Sequence, residues 1–179
     1  GSQLYISAGT TTFAGIQVTG TGNNESRGAI RLPATLNGPI TLSGDTTIGA
    51  EGGTLTGNIS SGAAGTQILT FGTSASASTC ASRGVIGGGT GDIALKVAYG
   101  TITLSGPAAN TYTNTTTITG GTLYVGKTTN IVSIPGAVSF NGAGANVNFI
   151  CQSNNQFSSS SVINMDGAAN YPRFYLEGT

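Results

Sequence analysis

The chain has 179 residues, a length that favours one domain. Only 7% of the residues are charged, and the net charge is zero. The six basic residues are scattered along the chain, which excludes a nucleic-acid-binding surface because phosphate contacts need clustered Lys and Arg. No apolar run is long enough to span a bilayer, and a chain without His cannot form a Ser–His–Asp triad.

The predicted elements are all β-strands. No stretch keeps the 3.6-residue period of a helix, and Gly or Thr interrupts almost every block of ten residues. Short alternating runs place every second side chain on one face, as a half-buried strand requires. In chain order these runs are Leu4–Ile6, Ile16–Val18, Ile40–Leu42, Ile102–Leu104, Leu123–Val125, Val138–Phe140, Val147–Phe149 and Phe174–Leu176.

The length of these runs favours a solenoid over a sandwich or barrel. Each run spans three to five residues, most are followed by Gly or Asn, and clear two-residue hairpin signals are missing. We therefore expect a parallel coil in which each strand pairs with its counterpart one turn later.

Internal repetition supports the coil. The segment 38–44 recurs at 100–106, an offset of 62 residues; Thr46–Ile48 recurs at Thr116–Ile118, an offset of 70; and 52–55 recurs at 120–123, an offset of 68. With about 20–25 residues per turn, these offsets correspond to about three turns and the whole chain to about eight.

One segment carries a family resemblance. Residues 100–126 read GTITLSGPAANTYTNTTTITGGTLYVG. This resembles the passenger-associated transport repeat of bacterial autotransporters, with two extra residues within 107–109 and Asn114-Thr115 where the family has two glycines. The segment 38–57 is similar to a second, degenerate copy.

The resemblance implies a right-handed, single-stranded parallel β-helix that is exported to the bacterial surface or released outside the cell. In that family the repeat forms a stalk and carries no enzyme chemistry. We therefore expect residues 1–179 to be a single solenoid segment of a longer repeat-containing surface protein, with a structural or adhesive function and without catalytic, cofactor-binding or metal-binding residues.

Two carboxylates suggest an alternative, a β-helix enzyme that processes polysaccharides. Glu25 and Asp45 are 20 residues apart, so they would stack about 5 Å apart if they lay one turn apart, near the separation in retaining glycosidases. Solvated turns are the favoured placement for both.

A glycine-rich segment resembles a calcium-binding repeat. Residues 88–92, Gly-Gly-Thr-Gly-Asp, are one residue short of the calcium nonapeptide and occur once. One copy cannot supply enough oxygen ligands, so a glycine corner is the preferred interpretation. Asp92 and Lys96 are candidates for an exposed ion pair.

Threonine spacing suggests a second alternative, ice binding. Pairs at i and i+2 occur at 54/56, 101/103, 111/113, 115/117 and 117/119. Ordinary outward-facing strand threonines are the simpler interpretation. The two cysteines, Cys80 and Cys151, are expected to be free and buried.

The ends of the chain show no cap, because Leu4–Ile6 and Phe174–Leu176 are apolar and only Pro172 precedes the last run. Natural solenoids carry caps with a polar outer face. We therefore expect the chain either to continue into further turns or to stack end to end with copies of itself into filaments.

Overall fold

The computed structural model describes residues 1–142, 146–165 and 170–177. These residues form an all-β parallel solenoid and contain no helix, which confirms the predicted fold class. None of them forms a helix long and apolar enough to cross a membrane. The strands are β1 Leu4–Tyr5, β2 Thr10–Thr12, β3 Ile16–Gly20, β4 Ile30–Leu32, β5 Thr35–Asn37, β6 Ile40–Ala50, β7 Gly53–Leu55, β8 Ile59–Ser61, β9 Thr66–Phe71, β10 Thr79–Ser82, β11 Ile86–Gly89, β12 Asp92–Val97, β13 Thr101–Gly106, β14 Thr116–Ile118, β15 Gly121–Lys127, β16 Val138–Phe140, β17 Asn146–Cys151, β18 Ile163–Asn164 and β19 Asn170–Leu176.

The strands lie on three faces. Face 1 stacks β1, β4, the second half of β6, β9, β12, β14, β16 and β18. Face 2 stacks β2, β5, β7, β10, β13, β15, β17 and β19. Face 3 is shorter and stacks β3, the first half of β6, β8 and β11. Each strand on a face pairs in parallel with its counterpart in the next turn, so the chain winds as a coil.

The coil has about seven turns, one fewer than the sequence predicts. The turns differ in length: Ile30 pairs with Ile48 after 18 residues, whereas Phe71 pairs with Val97 after 26. Longer turns absorb the residues that an even spacing would assign to an eighth turn. At the usual strand spacing, seven turns extend roughly 34 Å along the coil.

The core consists of columns of inward side chains. On face 1, Ile48, Phe71, Val97, Ile118 and Phe140 stand in register on successive turns, and all five are fully buried. Alternation within each strand produces these columns, because every second residue points inward. Each fully buried side chain of this size contributes about 1.5–3 kcal/mol.

All eight predicted runs overlap strands, but several strands are longer than the predicted three to five residues, and β6 is the longest. β6 extends over 11 residues, because its first half belongs to face 3 and its second half to face 1. Gly44 lies where the strand turns between the faces, and a Cβ there would be 2.7 Å from the Thr19 hydroxyl of the preceding turn. A small residue at this position lets the strand change face without a break, because a larger one would displace the Thr19 hydroxyl.

The predicted repeats match the coil only in part. Thr46–Ile48 and Thr116–Ile118 lie on face 1 three turns apart, as expected. The segments 52–55 and 120–123 share face 2, but the strand register pairs Leu55 with the column of Val125, two residues beyond the sequence match. The match of 38–44 with 100–106 is wrong, because Ile40 lies on face 3 and Ile102 on face 2. The same alternating pattern with glycine at the corner suits either face.

Candidate functional site

The structure does not bring the predicted carboxylate pair together. Glu25 is exposed in the loop between β3 and β4, and it has no strand register with Asp45 on β6. Its Oε2 lies 3.4 Å from Arg31 Nη1. Asp45 Oδ1 instead accepts a hydrogen bond of 2.8 Å from the backbone N–H of Ile68 in the next turn. The alternative in which the two carboxylates stack one turn apart has no strand register to support it. The favoured placement in solvated turns holds for Glu25, whereas Asp45 is exposed but lies on a strand.

An ion-pair cluster that sequence reasoning missed lies at a corner next to face 1. Glu51 Oε1 accepts a hydrogen bond from Arg27 Nη1 at 2.6 Å, and its Oε2 accepts one from Arg31 Nε at 2.7 Å. The Arg31 guanidinium also lies 4.4 Å from the centre of the Tyr5 ring. Burial raises the pKa of Glu51, but the hydrogen bonds from Arg31 and Arg27 outweigh it, so this pKa lies below its usual value. The cluster ties the first three turns together.

The glycine-rich segment 88–92 forms a corner, as preferred from the sequence. Gly87, Gly88 and Gly89 all have positive φ. A Cβ at Gly89 would lie 1.9 Å from the carbonyl oxygen of Ser61 in the preceding turn, so only glycine fits there. Among the described residues, no group of three or more His, Cys, Asp or Glu side chains is placed to hold a metal ion.

Asp92 links this corner to the next turn. Its carboxylate accepts hydrogen bonds from the backbone N–H of Ile93, from the backbone and hydroxyl of Thr113, and from the Asn114 amide. Burial raises its pKa, but these hydrogen bonds outweigh it and the net pKa is lowered. The predicted ion pair with Lys96 is wrong, because four residues along a strand separate the two by about 13 Å.

The outward threonines form ladders that other side chains interrupt. On face 2, one outward column runs Thr35, Thr54, Ala81, Thr103 and Tyr124. The neighbouring column keeps Thr79, Thr101 and Thr122 before Asn148. A flat two-column threonine array therefore does not extend along face 2, and this arrangement gives ice binding no support.

A surface groove crosses the outer side of face 1, and we call it the face-1 groove. Its floor is formed by Thr47 on β6 and Thr70 on β9, and one wall is formed by the loop at 21–26. Two adjoining cavities of about 270 and 220 Å³ share this floor. Tyr99 lines the first cavity, and Asp45, Ile68 and Lys96 line the second. The loop that forms the wall carried no recognisable sequence motif, so sequence reasoning missed the groove.

Glycine at position 72 positions Tyr99 in the groove. Gly72 has φ +77°, and a Cβ there would lie 2.0 Å from the Tyr99 carbonyl oxygen. The backbone of the next turn therefore passes directly over this residue. Tyr99 remains 46% exposed, so its ring is available to a ligand in the groove.

A lysine lies inside the solenoid. Lys127, the last residue of β15, is fully buried, and its Nζ donates to the carbonyl oxygens of Ser105 at 3.1 Å and Gly84 at 3.2 Å. Burial lowers its pKa from 10.5 to about 8. The alternation of Leu123 and Val125 already places position 127 on the inward face, so the sequence contained the signal.

The two cysteines are free and buried, as predicted. Burial raises the pKa of Cys80 to about 12. Cys151 also has a raised pKa because of burial, and its thiol donates to the Ser153 carbonyl at 3.3 Å. Both lie on face 2, on β10 and β17, three turns and roughly 14 Å apart, which is too far for a disulfide bond.

Comparison of the chain with protein-family models, with curated proteins and with solved structures gives no match. The passenger-repeat interpretation therefore depends on the motif at 100–126 alone. Within that motif, the extra residues at 107–109 lie outside the strands, between β13 and β14.

Proposed function

We propose that this chain is a structural or adhesive solenoid module of a bacterial cell-surface or secreted protein, and that it is not an enzyme. One observation supports the proposal most: the buried core columns continue from turn to turn, as in the face-1 column from Ile48 to Phe140. Such a core makes a stiff scaffold whose neighbouring turns stabilise one another. The outer surface carries mainly small polar side chains suited to contact with water or a ligand.

The extracellular location is supported by the resemblance of residues 100–126 to the passenger-associated repeat. The alternative, a polysaccharide-processing enzyme, loses its best candidate pair because Glu25 and Asp45 have separate partners. Retaining glycosidases need two carboxylates about 5 Å apart across the substrate.

Force spectroscopy tests the structural part of the proposal. A module pulled from its two ends is expected to unravel turn by turn, because each turn contacts only its neighbours. Turns of 18 to 26 residues would release about 60 to 90 Å of extended chain each. Extension without resistance, or an unrelated step size, would contradict the module.

Incubation with plant and bacterial polysaccharides tests the non-enzymatic part. We expect no new reducing ends and no unsaturated products. Turnover that is lost in an Asp45→Asn variant would overturn this part of the proposal.

The proposal includes association of copies through the ends of the coil. In the last described turn, Leu176 is in register with Cys151 and Ile163 with Val138, so both occupy inward positions. Leu176 is nevertheless 72% exposed, whereas Cys151 is 5% exposed. A further layer of strands from a second copy would cover these side chains, and a net charge of zero offers no repulsion.

Light scattering across concentration tests the association. We expect the mass to rise with concentration, and a Leu176→Lys variant to prevent the rise because it places a charge in the covered layer. Ile68→Lys is the matched control, since Ile68 is also exposed but lies on the outer side of face 1. A chain that remains monomeric at every concentration would refute self-association.

A further inference from the structure

The face-1 groove combines an open shape with a hydroxyl-rich floor. Thr47 and Thr70 are in register on consecutive turns, so their side chains repeat at the strand spacing of about 4.8 Å. Thr21 extends over the same floor from the loop after β3. A groove lined this way offers several hydroxyl donors and acceptors in a row along the coil axis.

One exposed aromatic ring completes the groove. Tyr99 lines the first cavity, and the exposed side chain of Ile68 adds apolar surface in the second. The face of an aromatic ring carries partial negative charge, so it attracts C–H bonds that carry partial positive charge. The groove therefore pairs an apolar platform with a row of hydrogen-bonding groups.

The charges of the groove balance. Asp45 and Lys96 both line the second cavity, and neither forms an ion pair within 4.0 Å among the residues that the structure describes. Asp45 uses Oδ1 for the Ile68 backbone, and its Oδ2 makes no hydrogen bond with described residues. One carboxylate and one ammonium can thus serve as acceptor and donor to a neutral polar ligand.

We propose that the face-1 groove binds a neutral oligosaccharide. A pyranose ring presents an apolar C–H face that can stack on Tyr99, and its hydroxyls can bond with the threonines, Asp45 and Lys96. An acidic sugar would gain Lys96 but meet the Asp45 carboxylate, and a peptide would leave most floor hydroxyls without partners. The assignment rests on the proposed function, because it names the ligand class of an adhesive module.

Titration calorimetry with three defined probes tests the assignment. The probes are a β-linked glucose hexamer, a β-linked N-acetylglucosamine hexamer and a galacturonate oligomer. We expect at least one neutral hexamer to bind and the galacturonate oligomer to bind more weakly. Failure of both neutral hexamers, or preference for the acidic oligomer, would overturn the assignment.

Three variants locate the binding. Tyr99→Ala should raise the dissociation constant at least tenfold, and Asp45→Asn should raise it severalfold. Tyr124→Ala is the matched control, because Tyr124 is an outward tyrosine on face 2, outside the groove. Circular dichroism of each variant checks that the solenoid is intact, and Asp45→Asn keeps the test decisive if Tyr99→Ala misfolds.

The outcomes separate this assignment from the proposed module. Equal binding by Tyr99→Ala, Asp45→Asn and the unmodified chain would overturn the groove as the site. If the unmodified chain binds neither neutral hexamer but still unravels turn by turn, the glycan assignment is overturned and the structural module remains in place.

Discussion

Replacement of Lys127 by Met is expected to change how stability depends on pH. In the folded chain Lys127 is buried, and among the described residues its ammonium donates to the carbonyl oxygens of Ser105 and Gly84 alone. Burial lowers its pKa from 10.5 to about 8, because the charged form loses its water. Met has nearly the same length and carries no charge, so the variant removes the titration and keeps most of the packing.

The sign of the effect follows from proton binding. Between about pH 8 and pH 10.5 the unfolded chain retains a proton on Lys127 that the folded chain has released. The unfolded state then binds more protons, so the free energy of unfolding rises with pH through this window. The difference between 10.5 and about 8 corresponds to about 3 kcal/mol, at about 1.4 kcal/mol for each tenfold change in proton affinity.

Urea unfolding followed by circular dichroism, from neutral pH to pH 10.5, measures this change. Cys80 and Tyr112 titrate in the opposite sense, because burial raises the pKa of both. The quantity to compare is therefore the unfolding free energy of the unmodified chain minus that of Lys127→Met at each pH. We expect this difference to rise by about 3 kcal/mol across the window.

Lys96→Met on the outer side of face 1 supplies the baseline for loss of one amine. A difference for Lys127→Met that stays constant with pH would refute the reasoning. It would mean that the ammonium is solvated in the folded chain.

Two further predictions concern the core. Tyr112→Phe removes the hydroxyl that lies 2.8 Å from Thr116 Oγ1, and both residues are fully buried. We therefore expect the free energy of unfolding, measured in urea, to fall by about 1–3 kcal/mol. A decrease no larger than that of an exposed substitution would contradict this hydrogen bond. Cys80 and Cys151 should react with a thiol reagent only after unfolding, because both are buried and burial raises the pKa of each thiol. Prompt reaction of both thiols in the native chain would contradict this prediction and show that face 2 opens.

The fold could be predicted because the period-2 pattern is local. Runs such as Ile102–Leu104 and Val138–Phe140 place two apolar side chains on one face whatever their partners are, and both are strands. The pairing between turns is not local, and it depends on the number of residues in each corner. The same pattern therefore assigned the segments 38–44 and 100–106 to one face, whereas the structure places them on two.

The candidate site was harder to predict for the same reason. The face-1 groove joins Thr47, Thr70 and Tyr99 from different turns to a loop of ordinary composition, and no spacing in the sequence reveals that the loop covers the floor. The Arg27–Glu51–Arg31 cluster likewise needs the register of three turns. Lys127 is the exception, because alternation within one strand already points it inward.

The Asn110 side chain links adjacent turns of the coil beyond the last described strand of face 3. In the part of the chain that the structure describes, the strand ladder of face 3 ends after β11. Backbone hydrogen bonds from the Asn110 N–H to Val132 and from the Thr111 N–H to Ile86 still join the adjacent turns, and the Asn110 side chain adds to them. Its Oδ1 accepts a hydrogen bond of 2.9 Å from the Ile86 N–H, and its Nδ2 donates one of 2.7 Å to the Ser133 carbonyl. The side-chain amide thus replaces one peptide group of the ladder, with an acceptor towards one turn and a donor towards the next.

This role makes Asn110 sensitive to substitution. Asn110→Ala leaves the Ile86 N–H and the Ser133 carbonyl without partners, at about 1–3 kcal/mol for each group. Asn110→Asp keeps the acceptor, but it loses the donor and buries a charge, so we expect it to be at least as destabilising. Asn24→Ala in the exposed loop is the control and should change the unfolding free energy by less than about 0.5 kcal/mol. If urea unfolding gave Asn110→Ala a cost no greater than Asn24→Ala, the two side-chain hydrogen bonds of Asn110 would not contribute to holding these turns together.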